Sequence, residues 1–251
     1  LEPLMQFYRE HGRLPVHDEL EEIPEINTAF GSLKKAFGVV RNVTDKEEWE
    51  GIREERQQDL LVFLALDRFG GRPRFSQLPD RLQVDVKAFF GAYSRGCKAA
   101  DDLLFGTGSV AAVDKACRMA VVGKRTREAL YVHTSAISYL PALLRVYEGC
   151  ARAFIGEVEG ANVVKLSRDK ARVSYLGYAR FDKDPHPALE SSLQVKLDSL
   201  SAGHLDFRKW ENPPILHRKE LLVGEDYPGR AKFARLTAQE DRWGLYVPGE
   251  S

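Results

Sequence analysis

The sequence is short of the residues that staple a fold or carry it through a bilayer. Cys97, Cys117 and Cys150 are an odd set with no C-x-x-C pair, which excludes a full disulfide framework, argues against a structural zinc site and suits a reducing cytoplasm. The longest apolar run, Leu60 to Leu66, is far shorter than the ~20 residues of a membrane-spanning helix. An excess of one charge is missing too: 37 Lys+Arg balance 37 Asp+Glu. Any nucleic-acid contact must therefore come from local clusters. The chain opens Leu1-Glu2-Pro3, with neither an initiator methionine nor a leader, and so reads as a fragment of something longer. What remains is ordinary for a globular protein: 43% hydrophobic and 29% charged over 251 residues, enough for two compact domains or one large one.

Charge and periodicity divide the chain. Residues 1–120 hold 17 cations against 20 anions, and residues 121–251 hold 20 against 17. The first half reads helical: Glu2 to Glu10, then Asn27 to Val40 with Phe30, Leu33, Phe37 and Val40 on one face. Thr44-Asp45-Lys46-Glu47 reads as a capping box opening a helix to about Phe69. Its Leu60 to Leu66 stretch is expected to be buried all round. Arg81 to Phe105, broken or bent around Gly91 and Gly96, and Val110 to Met119 complete the set. After Val121 strand-like runs appear: Ala129 to His133, Ala153 to Glu159, Asn162 to Leu166, Arg172 to Tyr178, Leu193 to Leu197 and His204 to Phe207. A helix carrying Leu140, Leu143, Leu144 and Tyr147 lies between the first two, and Gly229 to Trp243 closes the chain. The expected fold is α+β: a helical domain over 1–120, a basic linker over 121–127, and a mostly antiparallel α+β domain over 128–251.

The helical half repeats itself. Gly12-Arg13-Leu14-Pro15 precedes Phe30-Gly31-Ser32-Leu33-Lys34-Lys35, and Gly71-Arg72-Pro73-Arg74 precedes Phe90-Gly91-Ala92-Tyr93-Ser94-Arg95. The glycines are 19 residues apart in the first copy and 20 in the second, as expected of one helical unit used twice. This pattern resembles the helix-turn-helix-like homing-endonuclease-associated repeats. A glycine lets a phosphate approach the bare N–H groups of a helix start. Arg13, Ser32, Lys34, Lys35, Arg72, Arg74, Arg95 and Lys98 are the candidate DNA contacts. The plainer alternative is that the Phe-Gly pairs mark tight packing and the cations are solvated. The acidic run Asp18 to Glu25 is expected to face away from DNA.

In the second half, candidate chemistry gathers at His133, at Asp184 and His186 within a two-proline loop, and at His217, Arg218, Lys219 and Glu220. Two histidines and an aspartate could hold a divalent ion, and Lys219 could stabilise charge on a phosphate. Without an H-x-x-x-H spacing, no metal is assigned. Lys165 and Arg218 are candidates for phosphate or partner binding, and the three histidines are expected to converge on one polar pocket. Asn212-Pro213-Pro214-Ile215 is similar to the tetrapeptide with which amino-methyltransferases grip a flipped base, but Ile215 stands where an aromatic should stack. Leu104-Phe105-Gly106-Thr107-Gly108 follows a helix rather than the strand that a cofactor loop needs.

A wider resemblance runs through nearly the whole chain. Its carriers include Asp59 to Leu66, Gln83 to Gly91, Ala129 to His133, Leu144 to Ala151, Asp184 to Leu189, Asn212 to Glu220, Asp226-Tyr227-Pro228 and Lys232 to Thr237. These resemble, in order, segments of the methyltransferase family associated with bacterial DNA phosphorothioation. In that family they follow an S-adenosylmethionine-binding domain, absent from this sequence, so no cofactor is expected here. The resemblance implies a cytoplasmic, DNA-handling accessory part of a modification system. Its partners would be double-stranded DNA and other proteins of that system, with no membrane. Two alternatives stay open: a metal-dependent phosphodiester-acting C-terminal domain, and a protein-docking module.

Overall fold

Residues 1–245 are described by a computed structural model, so the last six positions of the expected 128–251 domain lie outside the described residues. The chain divides into two compact units, Leu1–Leu103 and Leu104–Ser251.

The N-terminal unit is helical throughout: α1 (Glu2–His11), α2 (Ile23–Phe30), α3 (Leu33–Val43), α4 (Lys46–Leu66), α5 (Asp80–Phe90) and α6 (Tyr93–Gly106), the last running past the division. The single helix expected over Asn27 to Val40 is two. Gly31, at φ 80°, ends α2, and Ser32 starts α3 by accepting the N–H of Lys35 on Oγ. Phe30 is consequently left exposed rather than sharing a face with Phe37. The cap of α4 is Asp45, which accepts from the N–H of Glu47, while the Thr44 hydroxyl bridges Val40 and the Trp49 indole. Phe63 breaks the expected all-round burial of Leu60 to Leu66. Gly96 does not break α6; it lets Phe90 and Leu64 close against the helix. The core here is small and aromatic: Tyr8 stacks on Phe37 at 4.2 Å between ring centres, and Trp49 meets both edge-on.

The C-terminal unit is α+β. α7 (Val110–Met119) precedes β1 (Lys124–Arg125) and β2 (Ala129–His133); α8 (Ala142–Ile155) precedes β3 (Val163–Ser167), β4 (Arg172–Gly177), β5 (Ser191–Lys196) and β6 (Ser201–Asp206); α9 (Arg230–Arg242) ends it. The six described strands form an antiparallel meander in sequence order. The expected basic linker is thus partly sheet, with Lys124 paired to Tyr131. The strand expected over Ala153 to Glu159 is instead the end of α8, because Tyr147 and Ala151 continue its buried helical stripe until Gly156, at φ 78°, stops it.

Period-two alternation sends the strands' apolar residues to two different covers. Leu130, Val132, Val164, Leu166, Val173, Tyr175 and Val195 pack with Val113, Ala116 and Cys117 of α7 and Leu144, Tyr147 and Ala151 of α8. α7, expected to close the helical domain, therefore belongs to this core. On the other face, Val163 and Leu176 pack with Phe181 from the β4–β5 connection and with Leu216, Leu222 and Phe233 from the C-terminal segment. Both faces being covered, β3 and β4 are buried along nearly their whole length, whereas edge strand β6 is exposed along its length.

Candidate functional site

Two helix–glycine–helix corners recur in the N-terminal unit. α2 ends at Gly31 and α5 at Gly91, both at positive φ (80° and 74°), and α3 and α6 start two residues later. Four places after each glycine stands a cation that folds back over it. Lys35 Nζ lies 3.5 Å from where a Cβ on Gly31 would sit, and Arg95 Nη1 lies 3.6 Å from the same point on Gly91. Neither α3 nor α6 has an acidic residue in its first turn. The positive ends of both helices therefore meet positive side chains, an arrangement that an anion would relieve. Lys34, Arg74 and Lys98 are also exposed, although Lys98 Nζ donates to Asp102 at 2.8 Å.

The other two candidate cations of the repeats are internal, which corrects the reading of them as DNA contacts. Arg13 is only 2% exposed and donates to both carboxylate oxygens of Glu19, at 2.6 and 2.7 Å, and to Asp85 at 2.5 Å. Arg72 donates to the carbonyl of Leu64, at the end of α4, and to Asp101 of α6 at 2.9 Å. The Gly-Arg half of the motif ties helices together, and the half after Phe-Gly stays outside. Glu19, from the acidic run expected to face away from DNA, is one of these ties.

In the C-terminal unit the expected trio of histidines becomes a pair and an outlier. Ala188 pairs with Ile215 in an antiparallel bridge, closed by Leu189 N–H to Pro214 O and Leu216 N–H to Pro187 O. That register sets His186 opposite His217, and their ring centres are 4.5 Å apart. The carboxylate that joins them is neither Asp184 nor Glu220. Asp184 is held by Arg180 at 2.6 Å, and Glu220 accepts the Thr237 hydroxyl at 2.9 Å. It is Glu240 of α9, whose Oε1 stands 2.6 Å from His186 Nε2. One ligand atom from each of the three residues lies within 4.8 Å of the others. Burial first, and then the neighbouring His186, lowers the pKa of His217. His133 instead rests on Phe181 and Tyr227, at 4.6 and 5.2 Å between ring centres, with Nδ1 capping the turn at Ser135. Burial lowers its pKa.

Lys219, a candidate phosphate contact in the sequence, is buried. Its Nζ donates to the carbonyls of Phe181 and Asp184, each at 2.6 Å, and sits 4.0 Å above the Phe233 ring. It clamps the loop that carries His186, and burial pushes its pKa down to about 8. A cavity of about 270 Å³ borders this clamp, lined by Asp184, Pro185, Lys219, Lys232, Arg235 and Gln239 among others. Arg218 pairs with Asp241, and Lys165 lies 5.3 Å from the centre of the Tyr131 ring, its partner across β2 and β3. Asn212 to Ile215 supplies the bridge to Ala188, while Leu104 to Gly108 spans the end of α6 and a turn.

Sequence reasoning misses Glu240, yet a signal for it exists. Phe233, Thr237 and Glu240 fall at i, i+4 and i+7, so the carboxylate shares a helical stripe with a core phenylalanine. No described helix is long and apolar enough to cross a membrane. Compared with protein-family models, curated proteins and solved structures, the chain finds no match.

Proposed function

We propose that this chain is a DNA-handling accessory part of a phosphorothioation-associated DNA methyltransferase, acting in the cytoplasm within a bacterial modification system. The observation that carries the DNA reading is the recurrence of Lys35 and Arg95 over Gly31 and Gly91, at two helix starts free of acidic side chains. Two phosphates of a duplex would supply the anion that each corner lacks. Lys34 and Arg74 add exposed charge to the same unit. The assignment to a modification system rests on the ordered sequence resemblance.

Duplex binding by the full chain, followed by fluorescence anisotropy over a salt series, tests this. Reversing Lys34, Lys35 and Arg95 to glutamate should weaken binding at least about tenfold. It should also flatten the salt dependence, by about one unit of log–log slope for each phosphate that is no longer neutralised. Lys170→Glu, at an exposed site of the C-terminal unit, serves as the charge control. Equal binding by the triple variant and its parent would show the corners to be packing units only.

A further inference from the structure

We propose that His186, His217 and Glu240 form a binding site for a divalent transition ion of the Zn2+ class, with its fourth position open to water. Nitrogen, nitrogen and carboxylate oxygen are a donor set that Zn2+ takes readily. Three separate parts of the chain deliver these donors, and each is fixed by contacts of its own. The flanking Pro185 and Pro187 and the Lys219 clamp hold the His186 loop. The Ala188–Ile215 bridge sets His217 opposite it. The Thr237–Glu220 hydrogen bond and the Arg218–Asp241 pair fasten α9 to the segment that carries His217.

The polar atoms point to the same occupant. Glu240 is 8% exposed, yet its buried Oε1 has no hydrogen-bond partner among the described residues, and neither has buried His186 Nδ1. The 2.6 Å approach of His186 Nε2 to Glu240 Oε1 is an ion-pair distance without the alignment of a hydrogen bond. A structural histidine–glutamate pair would align its N–H on the oxygen, because a buried acceptor without a donor is costly. A cation held by Glu240 Oε1 and one ring nitrogen of His186 removes that cost for the carboxylate. The donors lie within 4.8 Å of one another, against about 3.4 Å between donors in a tetrahedral site with bonds of about 2.1 Å. To take one ion, His186 Nε2 and Glu240 Oε1, 2.6 Å apart, would part slightly and His217 would draw in. The His186 side chain is one-third exposed, which leaves a way in for the ion and for a water completing its shell.

This site is independent of the DNA-binding corners, and its test uses the full chain stripped with a chelator. Calorimetric titration with Zn2+ should show one ion bound per chain. Glu240→Gln, which keeps the size of the side chain, and His217→Ala should each weaken binding more than about 100-fold, since even indirect supports of a metal site cost 10- to 100-fold. Circular dichroism checks that each variant folds, and Glu240→Gln decides the matter if His217→Ala does not. Co2+ in place of Zn2+ should give the visible absorption of a four-coordinate nitrogen–oxygen site, without the thiolate charge-transfer band that capture by a cysteine would produce. Absence of stoichiometric binding, unchanged affinity in the folded Glu240→Gln variant, or a thiolate band would each overturn the proposal.

Discussion

The two units bury positive charge in different ways. In the N-terminal unit Arg13 meets two carboxylates, and Arg72 meets one carboxylate and a helix-end carbonyl. In the C-terminal unit Lys219, equally enclosed, is bonded to two backbone carbonyls and lies over aromatic rings. The chemistry of the cations accounts for the contrast. A guanidinium cannot shed its proton at any ordinary pH, so its burial requires countercharge. An ammonium can, and the Lys219 value of about 8 shows how far burial has moved it toward doing so. Both kinds of residue look alike as phosphate contacts in the sequence. Internal ties and solvent-facing contacts are told apart by what surrounds them, not by residue type.

The sharpest way to break the comparison is to remove Arg13. Arg13→Ala leaves Glu19 and Asp85 facing each other's charge and should cost about 3 kcal/mol, read as a lower urea midpoint for the N-terminal unit. Arg13→Lys should recover only part of this, because one ammonium cannot reproduce the planar fork that reaches both carboxylates. A loss below about 1 kcal/mol would mean that solvent already screens the cluster, and the contrast with Lys219 would vanish.

Lys219→Met should be the milder change, at about 2 kcal/mol, because it leaves two carbonyls without a donor but no charge unpaired. Its pH dependence sharpens the point. The folded-state pKa of about 8 lies below the ordinary 10.5, so between those values the unfolded chain holds the proton more tightly than the folded one. Stability from this residue therefore rises as pH climbs from about 8 to about 10.5. The gap between native protein and Lys219→Met should widen over that window, and a constant gap would place the ammonium in contact with water.

The smallest expected effect belongs to the histidines. Burial lowers the pKa of His133 and of His217 below 6.5. Below that pH the unfolded chain takes up protons that the folded rings resist, so acid should weaken the C-terminal unit progressively. NMR titration of the ring protons checks it: midpoints at or above 6.5 would show the rings to be solvated.

Much of the fold is legible in the sequence because it is local. Ala129 to His133 is a strand at the expected residues, and α7 and α9 begin and end within a residue or so of the expected limits. The errors have local causes as well. Gly31 interrupts an otherwise unbroken apolar stripe, and the alanine-rich end of α8 reads as a strand because Phe154 and Ile155 favour one. In the candidate site, His186 meets His217 as expected and His133 does not join them. His133 points to the same face of the sheet as Tyr131 but is captured there by Phe181 and Tyr227.

By itself the sequence determined the division into a helical half and an α+β half, the doubled Gly-Arg and Phe-Gly motif, and the positions of the cations and histidines. Period, capping and turn chemistry act over a few residues, and such short-range terms can be read in one dimension. Only the tertiary structure decided which arginines face inward, which core α7 joins, and that Glu240 meets His186 and His217. Those outcomes depend on contacts between residues far apart in the chain. Asp85 lies 72 positions from Arg13, and α9 reaches the histidines only because the sheet buries its second face beneath the C-terminal segment. A carboxylate on a helix is solvated by default, and covering that face is what turned this one inward.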